Sequence, residues 1–338
     1  MRVALDAMGG DHAPVEQVKG ALIAAQEFGV EVLLVGPPDL LEAELAKHPR
    51  NSRVSIVPAR DTITMGEDEI VSAVRQQPEA SVNVAMSLVK EGRADAVVSA
   101  GNSGAVAASA FFMLGRVPGV ERPALGTLIP FNSGKLFVLD LGANADCRPS
   151  HMAQFGVMGS AFMEEVGGVV KPRVGLLNMG EEDGKGNNLT SESFERLKEN
   201  TGINFVGNVE GVEIHKNVCD VLVTDGFTGN VALKVGEGIA DYILQEVRAT
   251  IKSSILFLAA AVLLKPALKR SLKSLNYEEY GGANLLGING VVVIAHGRSD
   301  AVAFKNALRV ADLASGSHLM EKMRATFAEA KASSAAGR

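Results

Sequence analysis

Short apolar runs alternate with amphipathic stretches from the first residues onward. Arg2–Asp6, with Val3-Ala4-Leu5 at its centre, predicts a strand. Pro14–Phe28 places Val15, Val18, Leu22 and Ala25 on one face of a helix, with Pro14 in the first turn, where its missing N–H costs nothing. The alternation continues with strands at Glu31–Gly36 and Val54–Pro58, a helix near Asp39–Lys47 and a helical region through Val82–Gly92. Strand Ala94–Ser99 runs into helix Ala105–Leu114, and strands recur at Ala124–Ile129 and Leu136–Leu141. The second half repeats the theme. Helices are predicted at Met152–Val166, Ser191–Asn200, Asn230–Ile251, Ala301–Leu313 and His318–Ala332, and strands at Arg173–Asn178, Asn204–Gly207, Asp220–Thr224 and Val291–Ala295. Near-continuous apolar strands alternating with helices predict a three-layer αβα fold around a mostly parallel sheet. Residues 1–332 read as one α/β domain, with room for two lobes around a cleft. Ser333–Arg338 reads as a disordered tail.

Six polar loops follow these strands: Asp6–His12, Ser99–Gly104, Asp140–Asn144, Gly180–Asn188, Asp225–Asn230 and His296–Ser299. Ligands of open α/β sheets bind at the carboxyl ends of strands, so loops this rich in Gly, Asn and Asp predict a shared polar site. No loop carries a standard nucleotide motif. Gly101-Asn102-Ser103-Gly104 and Thr228-Gly229-Asn230 can still turn backbone N–H groups and two hydroxyls towards an anion. Lys185 is the cation placed inside such a loop. The plainer reading of any single loop is a tight turn and a helix cap.

Nucleophiles are weak candidates. Ser103 lies in Gly-Asn-Ser-Gly-Ala and misses the nucleophile-elbow pattern at position 105. Cys147 and His151 are four residues apart with Pro149 between them, and a structural thiol is the simpler reading. Asp6, Asp11 and His12 read better as groups that stiffen a turn than as metal ligands, so neither metal nor cofactor is expected.

Composition narrows the class. The 338 residues are 47% hydrophobic, enough for a sizeable and mostly aliphatic core, since aromatics are 5% and Trp is absent. A net charge of −6 argues against a general nucleic-acid binder. Two cysteines make no disulfide framework and fit a reducing, cytoplasmic setting. The N-terminus lacks the apolar core of a signal peptide, because its short run ends in acid. The longest fully apolar run, Ile255–Leu264, is half of the ~20 residues a spanning helix needs.

Arg248–Tyr277 departs from the rest: it contains no acid. Ile255, Leu256, Leu258 and Leu263 belong to its apolar half, and Lys265, Lys269, Arg270 and Lys273 to its basic half. Pro266 is expected to bend or break the helix into a hairpin or kinked pair. The segment reads as a buried or dimer-contact helix, or as a tip entering the membrane interface, with a basic rim suited to an acidic protein partner.

The motifs at these loops resemble the phosphate acyltransferases of bacterial phospholipid synthesis, the PlsX family. Matching segments are DAMGGDHAP at 6–14, SAGNSGA at 99–105, RPALG at 122–126, LDLGAN at 139–144, LLNMGEEDGKGN at 176–187, FVGNVEG at 205–211, DGFTGNV at 225–231 and YGGANLLGINGVVVIAHG at 280–297. They span nearly the whole chain in order. The departures are Ser103 for a Thr, Asn284 for a Pro, and Arg298 and Asp300 in a segment that reads HGSSNA in the family. The resemblance implies a fold similar to phosphate acetyltransferases and to isocitrate and isopropylmalate dehydrogenases. It also implies a homodimer, cytoplasmic but peripherally membrane-associated, that converts acyl-[acyl-carrier protein] and inorganic phosphate to acyl-phosphate. With phosphate as nucleophile, no covalent acyl-enzyme is needed. Phosphate is expected at Gly101–Gly104 with Thr228, and Lys185 and Asn230 at the phosphate or thioester oxygen. His12 or His296 is expected as proton donor, and Asp6 and His12 as groups that orient Lys185 or the leaving thiol. The rival reactions are a soluble acyl-CoA phosphotransferase and, in another class, a metal- and NAD-dependent dehydrogenase; a membrane-binding module without catalysis is the third alternative.

Overall fold

The computed structural model describes residues 1–336 except Met65, Asp68, Asn132, Ser133 and 273–280, and describes only the backbone of Pro130, 265–272 and 330–336. The first half contains β1 (Arg2–Asp6), α1 (Val15–Phe28), β2 (Glu31–Gly36), α2 (Pro38–Leu45), β3 (Val54–Pro58), α3 (Ile70–Gln76), α4 (Ser81–Lys90), β4 (Ala96–Ser99) and α5 (Ser103–Met113). β5 (Ala124–Phe131), β6 (Gly134–Leu139), α6 (Pro149–Glu165), β7 (Arg173–Asn178), α7 (Asn188–Glu199), β8 (Asn204–Glu210) and β9 (Val221–Val223) follow. The chain ends with α8 (Gly226–Lys252), α9 (Ile255–Leu272), β10 (Ala283–Leu286), β11 (Val291–Ile294), α10 (Ala301–Gly316) and α11 (Leu319–Ala336).

These strands form one sheet in the order β3-β2-β1-β4-β11-β10-β5-β6-β9-β7-β8. Neighbours from β3 to β11 are parallel, as are those from β6 to β8. Between the two blocks, β10 runs antiparallel to β11 and to β5, and β5 antiparallel to β6. The blocks therefore point in opposite directions. The antiparallel centre and α3 are absent from the sequence reading. β10 escapes it because Asn284-Leu285-Leu286 is framed by Gly281, Gly282 and Gly287, all at positive φ, and so reads as loop.

Helices cover both faces. Val3 and Leu5 of β1 pack in a cluster with Val18, Ala21 and Phe304 from α1 and α10. Ala4, between them, faces Met86 and Val106 from α4 and α5. This two-residue alternation of a strand buried from Val3 onward is what a sheet between two helical layers requires. Gly20 lets α1 and α10 close up: a Cβ there would lie 2.4 Å from Cβ of Phe304. Phe137 of β6 stacks on Phe162 of α6 at 4.2 Å between centroids.

α8 and α9 are different. Gly226 and Gly229 are the buried residues of α8, and α9 exposes Ile255, Leu256, Phe257, Leu258, Val262, Leu263 and Leu264. Pro266, expected to bend or break the helix, does not break it: α9 is one helix through that position. The joint lies earlier, at Ser253-Ser254, where Ser253 N–H bonds Thr250 O and Ser254 Oγ accepts from Leu256 N–H, ending one helix and capping the next. Lys273, the last of the expected basic contacts, lies outside the described residues, and Lys265, Lys269 and Arg270 fall within the backbone-only stretch of α9. At the C-terminus α11 continues to Ala336, past the end expected at Ala332.

Candidate active site

The six polar loops do follow strands, but the two opposed blocks divide them into two sets. Loops after β1, β4 and β11 form the first. Asp6 is 2% exposed, and its carboxylate accepts from Ser99 Oγ at 2.7 Å and Met8 N at 3.2 Å. Burial pushes its pKa up, against these hydrogen bonds. Gly9 is where the loops of β1 and β4 touch: a Cβ there would meet Gly101 N at 2.6 Å and Asp6 Oδ2 at 2.7 Å. Asp11 N donates to Gly297 O at 2.8 Å, adding the β11 loop.

Several residues expected near a ligand also hold this set together. Asn102 caps α5, its Oδ1 accepting from Gly104 N at 3.0 Å and Ala105 N at 3.2 Å, while Gly101 N donates to Ser99 Oγ. The loop is thus poorer in available amides than its glycines suggest; the Ser103 side chain stays on the surface. His12 is exposed, and His296 Nδ1 accepts from Arg298 N. Asp300 caps α10 through Ala303 N at 2.8 Å, a role that Asn fills equally well.

Loops after β6, β7 and β9 form the second set. Asp140 organises it. It is fully buried and accepts from the N–H groups of Leu125, Gly142, Ala143 and Asn144 and from Asn144 Nδ2. Asn144 in turn donates to Pro123 O at 2.7 Å, and its carbonyl accepts from Gly226 N. Asp225 caps α8 through Thr228 N at 2.9 Å. Thr228 and Asn230 are exposed in the first turns of α8, and a Cβ on Gly142 would sit 3.5 Å from Asn230 Nδ2. The β7 loop is braced by Asn178, whose Nδ2 donates to Lys185 O and Asn208 Oδ1, and by Asn208, whose Nδ2 donates to Glu182 O. It ends in Asn187, which caps α7 at Thr190 N. Lys185 is half-exposed, its Nζ 3.8 Å from Glu182 Oε1.

Lys185, Asn230 and Thr228 therefore share one end of one parallel block, whereas Asp6, His12 and Gly101–Gly104 belong to the other. Asp6 is bonded within its own set, to Ser99 and Met8. The organising role of Asp140 is missing from the sequence reading; its signal is the acid that ends an apolar strand before Leu-Gly-Ala-Asn.

Neither thiol is an activated nucleophile. Burial pushes Cys147 up to about 11, and its Sγ points at Asn144 O; burial pushes Cys219 up to about 12. Cys147 and His151 do not pair: His151 Nε2 lies 3.2 Å from Glu121 and its Nδ1 accepts from Arg148 N.

The model of the family described as "Fatty acid synthesis protein" matches residues 1–322. A phosphate acyltransferase of Nostoc punctiforme is 48% identical over 97% of this chain and 96% of its own length. A phosphotransacetylase of Streptococcus pyogenes superposes with a TM-score of 0.62 at 15% identity, over 93% of this chain and 94% of its own. A 4-hydroxythreonine-4-phosphate dehydrogenase of Klebsiella pneumoniae does so with 0.56 at 13%, over 93% and 99%. At such identities the structural neighbours show the fold alone; the matched family and the level of identity to its members make this chain a member of the phosphate acyltransferase family of fatty acid synthesis proteins, and an acyltransferase.

Proposed function

We propose that this chain moves an acyl group from the thioester of acyl-[acyl-carrier protein] to inorganic phosphate, for phospholipid synthesis. The observation that carries this is the 48% identity to a phosphate acyltransferase over 97% of the chain. An oxygen of hydrogen phosphate attacks the thioester carbonyl, the C–S bond breaks, and the proton of the hydrogen phosphate ends on the leaving sulfur. That balance gives acyl-phosphate and free thiol with no acyl-enzyme, consistent with two thiols held protonated by burial. A thiol of ordinary pKa near ~8.5 needs little acid help to leave.

The chemistry belongs to the β6/β7/β9 end. Lys185 stabilises the oxyanion of the tetrahedral intermediate, and Asn230 and the Thr228 hydroxyl position phosphate beside it. Incubating the protein with palmitoyl-carrier protein and phosphate, then trapping acyl-phosphate as a hydroxamate, tests the reading; no trapped product refutes it. Turnover of acyl-CoA in preference to acyl-carrier protein would favour the soluble phosphotransferase.

Two surface features support assembly and membrane association as parts of this reading. Phe227, Val231, Val235, Ile239, Tyr242 and Ile243 are exposed at three- and four-residue spacing along α8, a stripe suited to the same stripe of a second copy. Ile255 and Leu263 of α9 are 88% and 84% exposed, at the far end of α8 from the site. An apolar tip with basic residues behind it in sequence suits an anionic membrane surface. Among the described residues no helix is long and apolar enough to cross a membrane.

A further inference from the structure

An anion arriving at the β6 loop finds its amides, and two at the start of α8, already engaged. The N–H groups of Gly142, Ala143 and Asn144 are bonded to Asp140, that of Gly226 to Asn144 O, and that of Thr228 to Asp225. Beside the β6 loop, recognition of negative charge therefore leans on side chains. Lys185 is one.

Two further cations stand beside the same loop. Glu121 is tied to the start of α6 by Ser150 Oγ at 3.1 Å and by His151 Nε2 at 3.2 Å. Pro123 is tied to the β6 loop by Asn144 Nδ2 at 2.7 Å. Arg122, between them, is thereby held alongside segment 144–151, which carries Arg148. Both arginines are exposed. Three acids of the adjoining segments have other partners: Glu121 is bonded to Ser150 and His151, Asp140 to five donors and Asp225 to its cap. Asp146 is the remaining acid of the segment and is exposed. Burial also holds His151 below its usual pKa, despite Glu121, so the imidazole adds no cation of its own at neutral pH. Guanidiniums are suited to phosphate because their fork of N–H donors matches its oxygens.

We infer that Arg122 and Arg148 form a phosphate-recognising subsite at the mouth of the β6 loop, and so set affinity for a phosphate-bearing substrate. The inference rests on the acyl-transfer reading for which substrates those are. Two sources carry the group: inorganic phosphate, and the phosphate ester on the prosthetic arm of the acyl donor.

Arg122→Gln, Arg148→Gln and the double variant would be assayed with inorganic phosphate varied at saturating acyl-carrier protein, then with the donor varied at saturating phosphate. Acyl-pantetheine, which lacks the ester phosphate, serves as a third donor. A KM for inorganic phosphate raised at least fivefold assigns the subsite to the nucleophile. A KM raised for acyl-carrier protein but not for acyl-pantetheine assigns it to the donor's arm. Lys at both positions should restore part of the loss, since the charge survives without the fork. KM values within twofold of the parent for both substrates, in a double variant that melts like the parent, overturn the inference. An inactive parent would refute the acyl-transfer reading instead. The subsite would then be read by calorimetric titration with inorganic phosphate and with 4′-phosphopantetheine: weaker binding of either by the double variant supports it, and binding of neither by the parent overturns it.

Discussion

At the scale of single residues, the polar loops contain two kinds of side chain that look alike in sequence. Asn102, Asn187, Asp225 and Asp300 cap helices, while Lys185, Thr228 and Asn230 remain open to solvent. Spacing and composition do not separate these kinds, because a capping Asn and a ligand-binding Asn both follow a strand and precede a helix. Lys185→Ala should lower kcat by at least about tenfold, since loss of one oxyanion donor commonly costs ~10²–10³. Parent-like turnover would remove Lys185 from the mechanism. Thr228→Ala should raise KM for phosphate more than Ser103→Ala does, and the reverse order would move phosphate to the β4 loop.

The pair Arg173–Asp220 is a structural counterpart. Asp220 accepts from Arg173 Nε at 3.0 Å and Nη2 at 2.9 Å, and from the Arg173 backbone at 2.8 Å. Burial alone would raise the Asp220 pKa, but these bonds win and hold it below the usual 3.8. A depressed carboxylate contributes stability that is present above its unfolded pKa and lost as pH falls through the folded one. Asp220→Asn should therefore cost about 1.5–3 kcal/mol at neutral pH. The gap to the parent should close on acidification below about pH 4. Urea melts at pH 7 and pH 3 measure both; a gap that is unchanged at low pH contradicts this account.

At the scale of elements, periodicity fared best where one face or one run is unambiguous. β1, β2, β3 and β7 lie where short apolar runs bounded by turn residues place them, the mostly buried β1 and the edge strand β3 alike. It fared worst where tertiary contact decides. β10 pairs on both sides despite its flanking glycines, and the Ser253-Ser254 joint displaces the break expected at Pro266. Gly20 shows how tightly helices are matched once paired. Gly20→Ala would press a methyl between Cβ of Phe304 and Ala301 O, 2.9 Å away. Overpacking of this kind typically costs about 1–3 kcal/mol, outweighing the roughly 1 kcal/mol that Ala gains over Gly in a helix. A higher melting temperature in Gly20→Ala would show that α1 and α10 can move apart at little cost.

At the scale of the whole molecule, two opposed parallel blocks join through β10 and β5, and α8 with α9 extends an exposed apolar surface. The direction reversal is illegible in sequence, since strand order and polarity follow from pairing between distant segments. The exposed arm was half legible: composition marked Arg248–Tyr277 as unusual without distinguishing burial from exposure. A charge in the α8 stripe, as in Val235→Asp with Ile239→Asp, should shift sedimentation from dimer to monomer; a parent already monomeric at micromolar concentration would refute pairing through this face. Leu258→Glu with Leu263→Glu should abolish co-sedimentation with anionic vesicles while leaving turnover of acyl-carrier protein in solution intact. Retained vesicle binding by that folded variant would place the membrane contact elsewhere. Binding of the parent should weaken with salt if the basic residues contribute.

α8 begins at the candidate site and ends at the joint with the tip, 27 residues later. At 1.5 Å per residue it is a strut about 40 Å long, with Asn230 and Lys252 roughly 33 Å apart. A molecule moored by its tip would hold its catalytic end at a set height above the lipid, whatever the strength of the mooring. Shortening α8 by two whole turns would then bring the catalytic end about 11 Å closer to the tip along the helix. Stand-off distance would thus become a property of the enzyme that can be varied independently of its chemistry.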